Sequence, residues 1–360
     1  MTTSLPALFT PLALRDIEFK NRIFVSPMCQ YSCTEGLPNH WHLVHLGSRA
    51  VGGAALVMSE AAAVTPAGRI SPEDAGIWSA THAEAWKPIT EFIKQQGAIP
   101  AIQLAHAGRK ASTFSPWRGS GKIVPENGGW EVIGPSTMPF SPAYPQPHAM
   151  SQADIEQCIA DFTAATRHAL TAGFEVAEVH AAHGYLLHEF LSPLSNTRTD
   201  AYGGSLENRL RFPLAVCQAV REIWPVGWPV FVRISACDWK DGGWSLEESI
   251  VLCKQLKAIG IDLIDVSSGG NVADTKITLT PGYQVPFAVA IKEQAGIAVG
   301  AVGLITQPVQ AEQIVAMGQA DVIFLARELL RDPYWPRHAA SALGIDPQWP
   351  DQYKRAQVGK

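Results

Sequence analysis

Polar side chains recur where a series of short apolar runs would end, and their types suit redox or acid–base chemistry. Ser26, Cys29 and Tyr31 close or follow the run 22–26, and Glu60 follows 54–59. Gln103 and His106 accompany 101–105, and His180, His183 and Tyr185 come with 176–180. Arg233 lies within 230–235, Ser267 and Ser268 close 263–267, Gly303 follows 298–301, and Arg327 follows 322–326. Polar groups in apolar strands are costly unless paired, so their convergence on one rim would mark a site.

The segment HAAHGY, residues 180–185, admits three readings. His180 and His183, with His188 and Glu189 nearby, could bind a metal for a hydrolase using His180, His183 and His188, but this needs a convergent third ligand with fixed geometry, and Arg233 nearby would repel the cation. His180 and His183 could be structural. They could also donate hydrogen bonds to a developing oxyanion, with Tyr185 as the acid; this suits Arg233 best. Arg233 itself reads as a buried ion-pair member or as a fixed cation facing an anionic ligand. Cys29 alone would usually be a small buried hydrophobe. Glycines and Ser268 near the sixth and seventh runs fit a phosphate cradle, hence a phosphorylated cofactor. No G-x-G-x-x-G, H-E-x-x-H or G-x-S-x-G is present, and Gly121-Lys122 lacks the rest of a P-loop.

The elements that must position these groups are legible from periodicity. Eight runs rich in Val, Ile, Leu and Phe read as strands buried on both faces. Helix-like segments lie between them. The segment 153–171 follows Ser151 and stops at Gly173, 246–259 follows Ser245 and stops at Gly260, and 309–317 stops at Gly318. Eight strand–helix units predict an α/β fold, a closed (β/α)8 barrel, over a doubly wound open sheet. The barrel needs roughly 250 residues, so the remainder sits in loops. Residues 109–150, rich in Gly and Pro, and 183–205 are the long excursions, after the third and fourth strands, and read as a lid and a substrate wall. Residues 12–19 read as a hairpin plugging the barrel bottom.

Composition agrees. The 360 residues are 47 % hydrophobic and 17 % charged, which excludes a disordered chain. The 28 Lys and Arg against 33 Asp and Glu give a net charge of −5 and no basic block, against a nucleic-acid binder. The six cysteines are scattered and contain no C-x-x-C, and neither a signal peptide nor a membrane span is evident, so a reduced cytoplasmic protein forming one domain over 1–360 is expected.

The segments SPMCQYS, IQLAHAGRK, HAAHGYLLHEFLSPLSNTRTDAYGGSLENR and RELLRDP resemble the old yellow enzyme family of FMN-dependent ene-reductases, over residues 8–337. Cys29 with Tyr31 and the short C-terminus resemble its bacterial thermophilic-like branch. The resemblance implies non-covalent FMN, reduced by hydride from NADPH in the pocket where an electron-poor alkene is then reduced, so no Rossmann domain is required. It implies that Ser26, Pro27, Met28 and Cys29 line the flavin, that Ala61 and Gln103 touch its ring system, and that Arg233 stabilises charge on its reduced edge. Val302, Gly303 and Arg327 would hold the phosphate. His180 and His183 would bind the substrate carbonyl, Tyr185 would supply the proton, Tyr31 would face the substrate, and Cys29 would tune the flavin. Ala326 departs from the branch, which usually has Gly beside the phosphate-binding Arg. Arg337 after RDPYWP is expected to reach a neighbouring active site in a homodimer or homotetramer.

Overall fold

The computed structural model describes residues 5–356. The chain opens with a hairpin of β1 (Leu12–Leu14) and β2 (Ile17–Phe19), then enters β3 (Ile23–Val25), α1 (His40–Val51), β4 (Leu56–Ala63), α2 (Ala80–Gln95) and β5 (Ile99–Ala105). An excursion follows that carries only the two-residue strands β6 (Ile133–Gly134) and β7 (His148–Ala149). Regular alternation resumes with α3 (Gln152–Thr171), β8 (Val176–Ala181), α4 (Leu186–Leu191), α5 (Leu206–Ile223), β9 (Val230–Ser235) and α6 (Leu246–Ala258). It ends with β10 (Leu263–Ser267), α7 (Val285–Ala295), β11 (Ala298–Ala301), α8 (Pro308–Ala316), β12 (Val322–Leu325), α9 (Arg327–Arg331) and α10 (Trp335–Ala342).

The strands β3, β4, β5, β8, β9, β10, β11 and β12 form a closed parallel barrel in that order, with β12 returning to β3. This is the (β/α)8 barrel that the eight apolar runs predict. The strand β4 extends to Ala63, beyond the expected 54–59. A bulge between Met58 and Ala61 re-registers the ladder, which continues through Ala61–Gln103, Ala62–Leu104 and Ala63–Ala105. The expected helix starts hold where a side chain closes the first turn. Ser151 accepts from the Asp154 amide and Ser245 from the Glu248 amide, each answered by the acid as a capping box.

The hairpin closes the N-terminal end of the barrel. Phe19 is fully buried, with its ring 4.8 Å from Phe24 and 6.5 Å from Phe231. Leu56, Met58, Val176, Leu263 and Phe324 complete that lowest layer. A charge there would be unpaired, so the layer is wholly apolar and the chemistry is confined above it. Phe19→Ala is expected to cost about 3–5 kcal/mol, as deletion of a buried aromatic does. Urea unfolding reads this; a loss near zero would show that the hairpin does not seal the core.

Candidate functional site

His180 is the last residue but one of β8, and the chain then turns sharply through His183 and Gly184, both in the left-handed region at φ 60° and 72°. The turn is held from three sides. The Ser235 hydroxyl accepts from the His183 amide at 2.9 Å, His188 Nδ1 accepts from the Gly184 amide at 2.9 Å, and Lys110 donates to the His183 carbonyl at 2.7 Å. Gly184 is required, because a Cβ there would lie 2.4 Å from the Gly270 carbonyl oxygen. The result places the His180 ring 5.2 Å from His183 and 5.0 Å from Tyr185. Burial, then the Arg233 charge, holds both histidines well below the usual imidazole range. They are therefore neutral at pH 7. His183 Nε2 shares a hydrogen bond with the Ser267 hydroxyl at 2.7 Å, while His180 Nδ1 is buried with no partner. Burial pushes the Tyr185 phenol well above its ordinary value, so it keeps its proton.

His188 faces the other way. Its Nδ1 is used by Gly184, and its Nε2 lies 3.1 Å from Asp238 Oδ1, both side chains fully buried. The set His180, His183 and His188 therefore does not converge as metal ligands. Among the described residues the group nearest to a metal cage is Cys33, His42 and Glu60, and hydrogen bonds account for it. His42 Nδ1 accepts from the Asn39 amide, which leaves Nε2–H to donate to Glu60 Oε1 at 3.0 Å and to Cys33 Sγ at 3.3 Å. Glu60 Oε2 accepts from the Gln30 amide at 2.9 Å. Glu60 thus anchors the loop after β3, the loop carrying Ser26, Pro27, Met28, Cys29 and Tyr31.

In that loop the Tyr31 hydroxyl lies beside the Cys29 thiol, and burial pushes both groups well above their ordinary values. A protonated thiol is a poor nucleophile. Tyr31 adopts φ 46° and meets Trp117 of the 109–150 excursion edge to face at 5.5 Å. The Ser26 hydroxyl is fully buried and unpartnered.

The next layer down is charged. Ala61 of β4 pairs in register with Gln103 of β5, and Gln103 with Glu178 of β8. His180 pairs with Arg233 of β9, and Arg233 with Asp265 of β10. Gln103 donates to Glu178 Oε1 at 2.8 Å, and Arg233 Nε lies 3.0 Å from Asp265 Oδ2. Sequence reasoning singled out Gln103 and Arg233 but gave Glu178, Asp265 and Lys110 no role. An acid at an inward position of an otherwise apolar strand was the available signal. Burial pushes the Lys110 ammonium down to about 7, with Arg109 adding to the shift.

At the ends of β11 and β12, Val302, Gly303, Ala326 and Arg327 line a cleft of about 220 Å³ with Tyr283 and Thr306. Gly303 takes φ 117°, and a Cβ there would meet Gln284 at 2.7 Å. Ala326 thus lines the same cleft as Arg327. Arg337 is not brought to any of these groups. It lies at the N-terminal end of the barrel, where Nε and Nη2 donate to the Val51 carbonyl at 2.9 and 2.8 Å and the guanidinium covers Trp349.

A site of this kind, neutral donors over a buried cation with a basic cleft beside it, is what the comparisons with known proteins address. The model of the NADH:flavin oxidoreductase / NADH oxidase family matches residues 7–345. The chain belongs to that family. It is 48 % identical over 350 residues to an NADPH dehydrogenase of Geobacillus sp. (strain WCH70), covering 97 % of this chain and 98 % of that one. A solved morphinone reductase superposes with a TM-score of 0.80 at 26 % identity, over 98 % of this chain and 93 % of that one. A solved 2-naphthoyl-CoA reductase superposes at 0.85 and 28 % identity, but this chain spans about half of its length (94 % and 52 % covered). The chain is a flavin-dependent oxidoreductase of the NADPH dehydrogenase type, with FMN and NADPH as its cofactors. A metal-dependent hydrolase finds no support, in keeping with the occupied His188. No helix among the described residues is long and apolar enough to cross a membrane.

The residues present fit a bound flavin. The orphaned Ser26 hydroxyl lies buried just past β3, and Arg233, the one cation on a barrel strand among the described residues, faces two carboxyls. The cleft at Gly303 and Arg327 suits an anion.

Proposed function

We propose that this protein reduces the C=C bond of electron-poor alkenes, α,β-unsaturated carbonyl compounds in particular, at the expense of NADPH. Bound FMN would supply the hydride chemistry, between NADPH and the alkene. The chain's own residues do the rest. Neutral His180 and His183 donate to the carbonyl oxygen and stabilise the enolate charge as it develops. Tyr185, held protonated, delivers the proton to the α-carbon. Ser26, Pro27, Met28, Cys29, Ala61, Gln103 and Arg233 hold the ring system, and Val302, Gly303 and Arg327 the phosphate. Tyr31 and the 109–150 excursion, in contact through Trp117, form the wall above. The observation that carries this reading is the neutral histidine pair with a protonated tyrosine beside it.

The test is an anaerobic visible spectrum of the holoenzyme. Bleaching of the flavin bands by NADPH and their return with 2-cyclohexenone is the expected result. Bleaching without return by any enone, nitroalkene or maleimide would reject the alkene as substrate. The His180→Ala/His183→Ala double variant is expected to weaken phenol binding, since a phenolate oxygen mimics the enolate. Two charge-assisted bonds of about 1.5–3 kcal/mol each make this a loss of about 100-fold or more. An unchanged phenol titration would remove the oxyanion role.

A cytoplasmic homodimer or homotetramer is part of this reading. Arg337 spends two of its five N–H groups on the Val51 carbonyl, and its contribution to a neighbouring site is tested by light scattering together with Arg337→Ala. A change in enone KM without a change in oligomeric state is the outcome that supports it.

A further inference from the structure

The mechanism above uses Arg233 but not the two acids beside it. Glu178 and Asp265 are both fully buried, on β8 and β10, on either side of Arg233 on β9. One cation therefore serves two carboxyls. Its contact with Asp265 is close, at 3.0 Å, but the N–H does not point along it, so neither Asp265 oxygen nor Glu178 Oε2 has a hydrogen-bond partner. Glu178 Oε1 has only the amide of Gln103. Two ionised carboxylates in so dry a layer are costly, and protonation of one is the cheap remedy.

We propose that Glu178 and Asp265 share one proton inside the barrel, and that Glu178 takes up this proton as the bound flavin is reduced, coupling the flavin potential to pH. Glu178 is in this sense a positioning residue: it acts through the charge balance around Arg233. With the proton on, the layer holds Arg233 against one carboxylate and is neutral. With the proton off, it carries a net negative charge and disfavours the further negative charge of a reduced flavin.

The groups facing the pair from each neighbouring element support this. Gln103 on β5 is neutral, His180 on β8 is neutral, Arg233 on β9 is the cation, and β11 contributes only Gly300 at this level. The charges acting on Glu178 are those of Asp265 and Arg233, and on Asp265 that of Arg233. Burial raises both carboxyls, Glu178 the more, and Asp265 raises Glu178 further. The reaction balances. Hydride transfer from NADPH gives NADP⁺ and delivers one electron pair and one proton to the flavin. The second proton passes from solvent to the Glu178 carboxylate.

The proposal rests on the flavin but not on the alkene, so its test uses no alkene. The midpoint potential of the holoenzyme is measured against pH with reference dyes. Wild type is expected to take up one proton per electron pair below about 8, where Glu178 already holds its proton, and to approach two as pH rises past that value. Glu178→Gln is expected to stay at one throughout. Identical slopes for the two proteins overturn the proposal. A second arm reads the apo-protein and covers the case in which the variant binds no flavin. Raised carboxyl pKa values mean that wild-type stability is fully present below the ordinary carboxylate range and is lost as pH rises from there through about 6 for Asp265 and about 8 for Glu178. Asp265→Asn or Glu178→Gln is expected to flatten that loss, and an unflattened profile in both overturns the shared proton.

Discussion

Tyr185→Phe is expected to slow reoxidation of the reduced enzyme by enone by about 10²–10⁴-fold, the usual worth of a positioned general acid. Reduction by NADPH should be unchanged, because that half-reaction needs no proton at carbon. The substitution removes one oxygen and keeps the ring that packs 5.0 Å from His180. The ring also meets Ala107, Ala111 and Val132 beneath the excursion. Stability should therefore move by less than about 0.5 kcal/mol, as it does for mild changes at partly exposed positions. Stopped-flow absorbance separates the two half-reactions. Equal losses in both would make Tyr185 a binding residue. The wild-type reoxidation rate should show no fall through the ordinary histidine range. His180 and His183 are already neutral below it, and the Tyr185 phenol titrates well above it.

Much of this site is legible in the sequence because a barrel converts chain order into position. The Cys29–Tyr31 loop, Gln103, His180 and Arg233 fall at the ends of, or within, successive apolar runs, and the closed sheet brings them onto one rim without further information. The hairpin 12–19 and the Ser151 and Ser245 caps are local in origin, and they stand where the sequence puts them. The parts that escaped depend on which way a side chain turns. His188 and His183 look alike in HAAHGYLLH, and only the left-handed turn at His183 sends one to Ser267 and the other to Asp238. Glu60 follows the second run as a rim residue would, yet the bulge after Met58 turns it toward His42. Arg337 is a simple surface arginine by sequence. Its hold on Val51 arises because α10 packs at the end of the barrel opposite the site, which no local pattern reveals. The acids of the middle layer were hidden for a different reason. A single Glu or Asp in a run of Val and Ile reads as an edge or an exposed face, and only the register, pairing Gln103 with Glu178 and Arg233 with Asp265, shows that they point inward together.

An effect on stability as large as that of Phe19→Ala is expected at Arg233. Replacing it by Met leaves Asp265, with a side chain 0 % exposed, beside no cation at all. Removing one partner of a buried pair typically costs about 3–5 kcal/mol, most of it the stranded charge and not the lost attraction. A second substitution, Asp265→Asn, removes that stranded charge. The double variant is therefore expected to recover most of the loss in urea unfolding of the apo-protein, because an amide needs no counter-ion and Glu178 can hold its own proton. Additive losses would instead show that Arg233 stabilises the barrel by packing. The same pair separates the two roles an arginine can have here. If Arg233 serves only Asp265, the double variant binds FMN as wild type does. If it also supplies the fixed cation that a reduced flavin requires, flavin affinity stays low in the double variant although the fold is restored. We expect the second result. The guanidinium is the cation of its layer, it lies in register with His180 on the site side, and Asp265 engages it through a poorly aligned contact that leaves N–H groups free for a ligand. Restored stability with FMN binding still lost is the combination that only a cation shared between the barrel and the cofactor produces.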